Sequence, residues 1–344
     1  MNPEPIPAGK LPTALLSRLL ATLGPMPAEV RIGPAVGEDA CVLEVADGFV
    51  VVATDPITLT TSDVGRYAVI INANDVAVCG ARPRWFLAAM LLPVGTTGEL
   101  VETLFAMMRE ALDEVGAVLV GGHTEVTSAV NQPVIVGQML GMAEGGRFVT
   151  TSGATQGDVV VQVGLVPIEG AAVLAAEAAD RLTGLPSQVI SEAKRATRDP
   201  GISVVDAALT AGELGATAMH DPTEGGLAAG LHELAVAAGS AIRIDREQVR
   251  WFEPGRQVCR ALGADPWATL ASGSLLATFL PHVADEALEL LESRGHTVAP
   301  IGVVQPGMGV FDTNGRAIPW PVRDEVARVI AGGSLRSSRN EPGE

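Results

Sequence analysis

The chain has 344 residues, a formal net charge of −17, 47% hydrophobic residues and only 3% aromatic ones. It has no run of Lys or Arg, so it lacks the basic face with which a sequence-independent nucleic-acid binder displaces counterions. Its three cysteines, Cys41, Cys79 and Cys259, form no Cys-x-x-Cys pair, which suggests neither a disulfide framework nor a zinc site and points to a reducing, cytoplasmic setting.

The length fits two domains of roughly 150 residues each. The first ten residues carry no apolar core of a signal peptide. The longest apolar run, around residues 85–94, is far short of the roughly 20 residues that cross a bilayer, so no membrane association is expected. In chain order, the leucines of residues 11–23 repeat at helical spacing. A glycine-rich loop with Gly37-Glu38-Asp39-Ala40 follows, then strands at 41–45 and 49–53 around an Asp47-Gly48 turn. Residues 63–80 read as an apolar helix with one polar pair, Asn74-Asp75. Residues 85–92 read as a strand, 99–115 as a helix, and 117–120 as a buried strand entering the loop Gly121-Gly122-His123-Thr124-Glu125. A strand at 133–143 closes the first half.

The small, polar stretch 151–158 marks the domain boundary, dividing residues 1–152 from 153–330. The second half predicts helices at 169–181, 204–214, 225–238 and 283–293, and strands at 159–163, 241–244, 275–279 and 298–304. Residues 331–344 are polar and expected to be disordered. Helices and strands mix without strict alternation, so the expected fold class is α+β in two domains.

An acidic chain that handles a polyanion must do so through metal ions and backbone amides. Asp39, Asp55 and Asp75 each sit in an apolar setting with few cations nearby, where a carboxylate is costly unless paired. A divalent cation solves that problem, and Mg²⁺ prefers carboxylate oxygens and nucleotide phosphates. Taken singly, each is also an ordinary turn or cap residue. Gly121-Gly122 lets backbone approach a phosphate, with a Thr124 hydroxyl beside it. His123 reads equally as phosphate contact, general base or surface residue. In Asp221-Pro222-Thr223-Glu224-Gly225-Gly226, Asp221 or Thr223 can cap a helix whose first amides lie uncovered, an anion-binding design. Glu233, further along, reads as solvated. No Walker A loop, Rossmann fingerprint or nucleophile elbow is present.

These motifs in this order, together with Asn74-Asp75-Val76-Ala77 and Gly80-Ala81-Arg82-Pro83, resemble the AIR synthase (PurM-like) superfamily, nearest to its hydrogenase-maturation HypE branch, over residues 10–325. The resemblance implies an N-terminal α/β domain that pairs in a homodimer through a barrel-like interface, and a C-terminal α+β domain. It implies ATP in the cleft between them, with metal on Asp39, Asp55 and Asp75. Asn74, Gly121, Gly122, Thr124, Asp221, Gly225 and Gly226 would line the nucleotide, and His123 and Asp75 would serve catalysis. The implied chemistry is phosphorylation, then dehydration, of an amide or carbonyl oxygen on a small molecule or partner protein.

The chain ends in Arg339-Asn340-Glu341-Pro342-Gly343-Glu344, without the terminal cysteine that HypE-like proteins modify, so self-thiocyanation is not expected. HypE-like sequences also carry an acidic residue where this chain has Ala271-Ser272-Gly273-Ser274. A small-molecule kinase of the thiamine monophosphate kinase kind, or a nucleotide-binding scaffold without catalysis, are the alternatives.

Overall fold

A computed structural model describes residues 10–46, 48–60, 62–143 and 146–337, with side chains to residue 331. The first sheet has six strands, in the order β1 (Val30–Ile32), β2 (Cys41–Val45), β3 (Gly48–Ile57), β6 (Val134–Ala143), β4 (Ala81–Pro93), β5 (Val118–Thr127). Only the β4–β5 pairing is parallel. The sheet is open, not a closed barrel, and β5 lies at its free edge.

Helix α1 (Thr13–Leu20) precedes the sheet and buries no residue. Helix α2 (Val64–Val78) is the centre of the first domain. All fifteen of its residues are buried, which explains why its sequence carries no polar stripe: it packs on β3 and β6, on α3 (Gly98–Val115), and on the second domain. Gly65 permits that packing, since an added Cβ would sit 2.6 Å from the Leu104 carbonyl. Thr97 caps α3 by accepting from the Leu100 amide at 3.3 Å.

The second sheet has the order β12 (Gly309–Asp312), β9 (Ala241–Ile244), β11 (Val298–Gln305), β7 (Val159–Val163), β10 (Leu275–Phe279), β8 (Ala218–His220). Helices α4 (Glu169–Glu177), α5 (Ser187–Arg195), α6 (Val205–Glu213), α7 (Gly226–Ala237), α8 (Glu253–Leu262), α9 (Pro281–Ser293) and α10 (Glu325–Ser337) complete the domain. The two domains are tied through α2. Asn74 Nδ2 donates to the Ile202 carbonyl at 2.8 Å, and its Oδ1 accepts from the Val204 amide at 2.9 Å.

Three expectations are corrected. Residues 121–125 are not a loop after a buried strand: they continue β5, which is exposed along nearly its whole length. An apolar run reads the same whether its strand is covered within the chain or left at an edge. Asp55 lies inside β3 rather than after it. Helix α10 carries the chain to Ser337, so 331–337 is helical where disorder was expected; 338–344 and Asp47 lie outside the described residues.

Candidate functional site at the domain junction

The site forms where the loop before β2, the middle of β3 and the C-terminal half of α2 meet the turn between β8 and α7. Gly37, with φ +88°, lets this loop pass close to α7, where an added Cβ would lie 3.0 Å from the Glu233 carbonyl. That approach sets Asp39 against the second domain. On β3, Asn72 of α2 clamps the Asp55 backbone: its Oδ1 accepts from the Asp55 amide at 2.8 Å and its Nδ2 donates to the Asp55 carbonyl at 3.3 Å. Asp75 is 5% exposed and Asp221 1%.

Asp39, Asp55, Asp75 and Asp221 act on one another electrostatically. Burial pushes the Asp75 carboxyl well above the usual range, and the charges of Asp221, Asp55 and Asp39 push it further. Burial, then Asp39 and Asp55, likewise raise Asp221, against the opposing pull of His220 and Lys10. Asp55 reaches about 6: desolvation raises it, Lys10 opposes, and Asp39 and Glu224 add to the rise. Because Asp55 is exposed at the rim, water screens it and its shift contributes little to stability. Both carboxylate oxygens of Asp221 are buried without any hydrogen-bond partner, a state that costs free energy unless something binds there.

One arm of the cluster is already neutralised. Buried His220 points Nδ1 at Asp39 Oδ2 (2.8 Å) and Nε2 at Glu233 Oε2 (3.0 Å). Burial alone would lower its pKa, but Asp39 and Glu233 overcome that and raise it well above the usual histidine value, so both ring nitrogens donate. Glu233 is correspondingly lowered to about 2: burial opposes, but hydrogen bonding from His220 and the charge of Lys10 prevail. Lys10 Nζ lies 3.4 Å from Glu233 Oε1 and 3.2 Å from Thr223 Oγ1. Thr151 Oγ1 lies 3.3 Å from Asp39 Oδ2. His220, Lys10 and Thr151 were not singled out in the sequence, and Glu233 was read as solvated; it is 9% exposed.

Other expected site residues are employed elsewhere. The Asn74 carboxamide is used at both ends as the domain tie. Asp221 and Thr223 do not cap α7; Gly225 does, in the left-handed region at φ +87°. The amides expected to be free are taken: Gly225 N donates to Asp324 Oδ2 at 2.6 Å and Gly226 N to the Thr223 carbonyl at 3.0 Å. Gly122 is needed for strand pairing, since a Cβ there would collide with the Ala88 carbonyl. Asp55, Gly137, Ala88 and Gly122 lie in one row across β3, β6, β4 and β5. Three strand spacings therefore separate Asp55 from Gly122, about 14 Å. His123 is 68% exposed and faces Glu125 at 3.3 Å, not the aspartates.

Among the described residues no three His, Cys, Asp or Glu side chains stand together as a ready metal cage. The donor set nevertheless suits Mg²⁺, which takes one or two carboxylates, keeps waters and completes its shell with substrate phosphate. No helix among the described residues is long and apolar enough to cross a membrane.

Residues 37–143 match the N-terminal domain of AIR synthase related proteins, and residues 155–312 match the C-terminal domain. The chain belongs to the AIR synthase related family. It is 31% identical to the carbamoyl dehydratase HypE of Rhodobacter capsulatus, over 70% of this chain and 68% of that protein. It is 26% identical to a putative hydrogenase expression/formation protein of Methanocaldococcus jannaschii, over 85% and 88% of the two chains. The crystal structure of Escherichia coli HypE superposes with a TM-score of 0.70 at 25% identity, covering 86% of this chain and 95% of that one. A HypE crystal structure in complex with ATP gives 0.66 at 23%, covering 86% and 92%.

Proposed function

We propose that this protein is a cytoplasmic, Mg²⁺- and ATP-dependent enzyme that phosphorylates, and thereby activates for dehydration, an amide or carbonyl oxygen on a small molecule or partner protein. The carrying observation is Asp221, whose two buried oxygens have no partner beside three further aspartates. A divalent cation held by these carboxylates would offset that cost and would supply charge neutralisation for a bound triphosphate, and positioning plus charge neutralisation is most of what phosphoryl transfer needs. The HypE relative named a carbamoyl dehydratase and the HypE structure with ATP support this reading. In it, Asp39, Asp55 and Asp75 hold metal, with Asp221 closing the site from the second domain. ATP hydrolysis by the wild type and by Asp75→Asn tests it, and equal rates in the two would sink it.

The protein acts in this reading as a homodimer paired through β5. That edge strand leaves Val118, Val120 and Val126 more than half exposed (56%, 54% and 57%), a template for a second strand unless covered. Pairing there brings Gly121, Gly122, His123 and Thr124 to the junction between two copies, where they can reach a nucleotide that they do not reach within one chain. Light scattering is expected to give twice the 35.4 kDa chain mass, falling to one chain for Val120→Lys/Val126→Lys; a wild-type monomer contradicts the pairing.

A further inference from the structure

Glu169 is a buried acid that the aspartate cluster does not use. It stands at the first position of α4, 7% exposed. The charges that act on it most strongly are all acidic: Asp324, Glu224 and Asp55.

The chain carries it to the cleft through the segment before β10. The Gly170 amide donates to the Leu270 carbonyl at 2.9 Å, and one residue on, the Ala271 amide donates to the Thr223 carbonyl at 3.3 Å, two residues past Asp221. Gly164, in the loop between β7 and α4, is pressed so closely on this segment that an added Cβ would lie 2.5 Å from the Gly273 carbonyl. Ser272, between these contacts, is 1% exposed. Its hydroxyl is near enough to favour the Glu169 anion, yet makes no well-formed hydrogen bond to it or to any other group. Across the cleft Glu169 is the charge that acts most on Tyr67 of α2. Tyr67 and Asp75 are eight residues apart on that helix, about 12 Å along its axis. The two ends of α2 thus meet two buried acidic places, one at the aspartates and one at Glu169.

We infer that Glu169 is the proton-transfer residue of an acceptor subsite beside the triphosphate, and that this subsite takes an uncharged acceptor carrying an N–H or O–H next to the oxygen that is phosphorylated. The inference rests on the ATP-dependent reading above. The acceptor oxygen bonds to the γ-phosphorus as the bond from that phosphorus to the β,γ-bridging oxygen breaks, releasing ADP. The N–H or O–H proton passes to the Glu169 carboxylate and then to solvent. A primary amide afterwards loses phosphate and its second N–H proton to leave a nitrile. Anionic acceptors are disfavoured because the charges that act most strongly on Glu169 are acidic. The Glu169 carboxyl is held at about 7, by burial first, with Ser272 opposing and Asp324, Glu224 and Asp55 adding, which suits proton transfer near neutrality. The unpartnered Ser272 hydroxyl is then available to hold the acceptor.

The test uses the full chain with MgATP and two probes, the methyl ester of N-acetyl-S-carbamoyl-cysteine as the neutral acceptor and thiamine monophosphate as the anionic one. The neutral probe is expected to stimulate phosphate release along a limb that rises through pH 7. Glu169→Gln should lower that release at least 30-fold and flatten the limb, and Glu169→Asp should restore part of it, while MgATP affinity stays within threefold. Difference infrared spectra of the free wild type and Glu169→Gln should show one protonated carboxyl lost between pH 6 and 8. Turnover or a pH limb unchanged in Glu169→Gln, stimulation by thiamine monophosphate instead, no stimulation by the neutral probe, or no such infrared band overturns the inference. Failure of the wild type to bind MgATP strikes the nucleotide reading itself.

Discussion

Replacing Asp75 by asparagine is expected to lower ATP turnover by about 10³-fold, roughly 4 kcal/mol of transition-state stabilisation, while making the free protein more stable. Both effects have one cause. Asp75 is buried among Asp221, Asp55 and Asp39, so its charged form is costly until a cation arrives. Unfolded carboxylates titrate near 4, whereas Asp75 and Asp221 hold their protons well above that when folded. The folded state therefore binds more protons than the unfolded one, and stability must fall as pH rises from about 4 toward the folded values. Asparagine removes one of the groups responsible. Thermal unfolding without metal should show the wild type losing stability between pH 5 and pH 8. Asp75→Asn should lose less, ending about 1–3 kcal/mol more stable at pH 8. A variant that is less stable and equally pH-dependent contradicts this account of the cluster.

The opposite result is expected at His220. Its imidazolium joins the loop of the first domain, through Asp39, to α7 of the second, through Glu233. His220→Ala removes the shared cation from two largely buried carboxylates and should cost about 3–5 kcal/mol in urea unfolding at pH 6. The folded pKa is raised, so the stabilisation is complete below the unfolded value near 6.5 and fades as pH rises through the folded value, which lies well above it. The cost of the substitution should therefore be larger at pH 6 than at pH 10. Glu233 acts with the other sign: its folded value of about 2 gives stability that is present above the unfolded value near 4.3 and is lost as pH falls toward 2. A loss below about 1 kcal/mol at pH 6 would mean that the bridge is not what holds Asp39 to the second domain.

These two residues also mark how far the sequence can be read. Asp39, Asp55 and Asp75 were visible because a carboxylate in an apolar stretch signals an unusual environment wherever it folds, and Asp221 only as a possible helix cap in a motif shared with the family. His220 gave no such signal, since its partners lie 181 and 13 residues away and only the docking of two domains brings them together. Glu233 misled because one acid on a helix normally faces water, whereas α7 has ten of its residues buried. The glycines were legible as special but not as to purpose: Gly225, Gly226 and Gly122 serve close packing and turn geometry rather than exposing amides. Periodicity placed α3, and apolar runs of the right length placed α2, α7 and most core strands, to within a few residues. It failed on β5, an edge strand that is exposed along nearly its whole length.

The most direct measurement is a crystal structure grown with Mn²⁺ and a non-hydrolysable ATP analogue, read by anomalous scattering. The account predicts a manganese peak within about 2.2 Å of carboxylate oxygens from at least two of Asp39, Asp55 and Asp75, with the triphosphate completing its shell and Asp221 turned toward it. Nucleotide bound elsewhere, or a cluster that stays without metal while the analogue is bound, would contradict it.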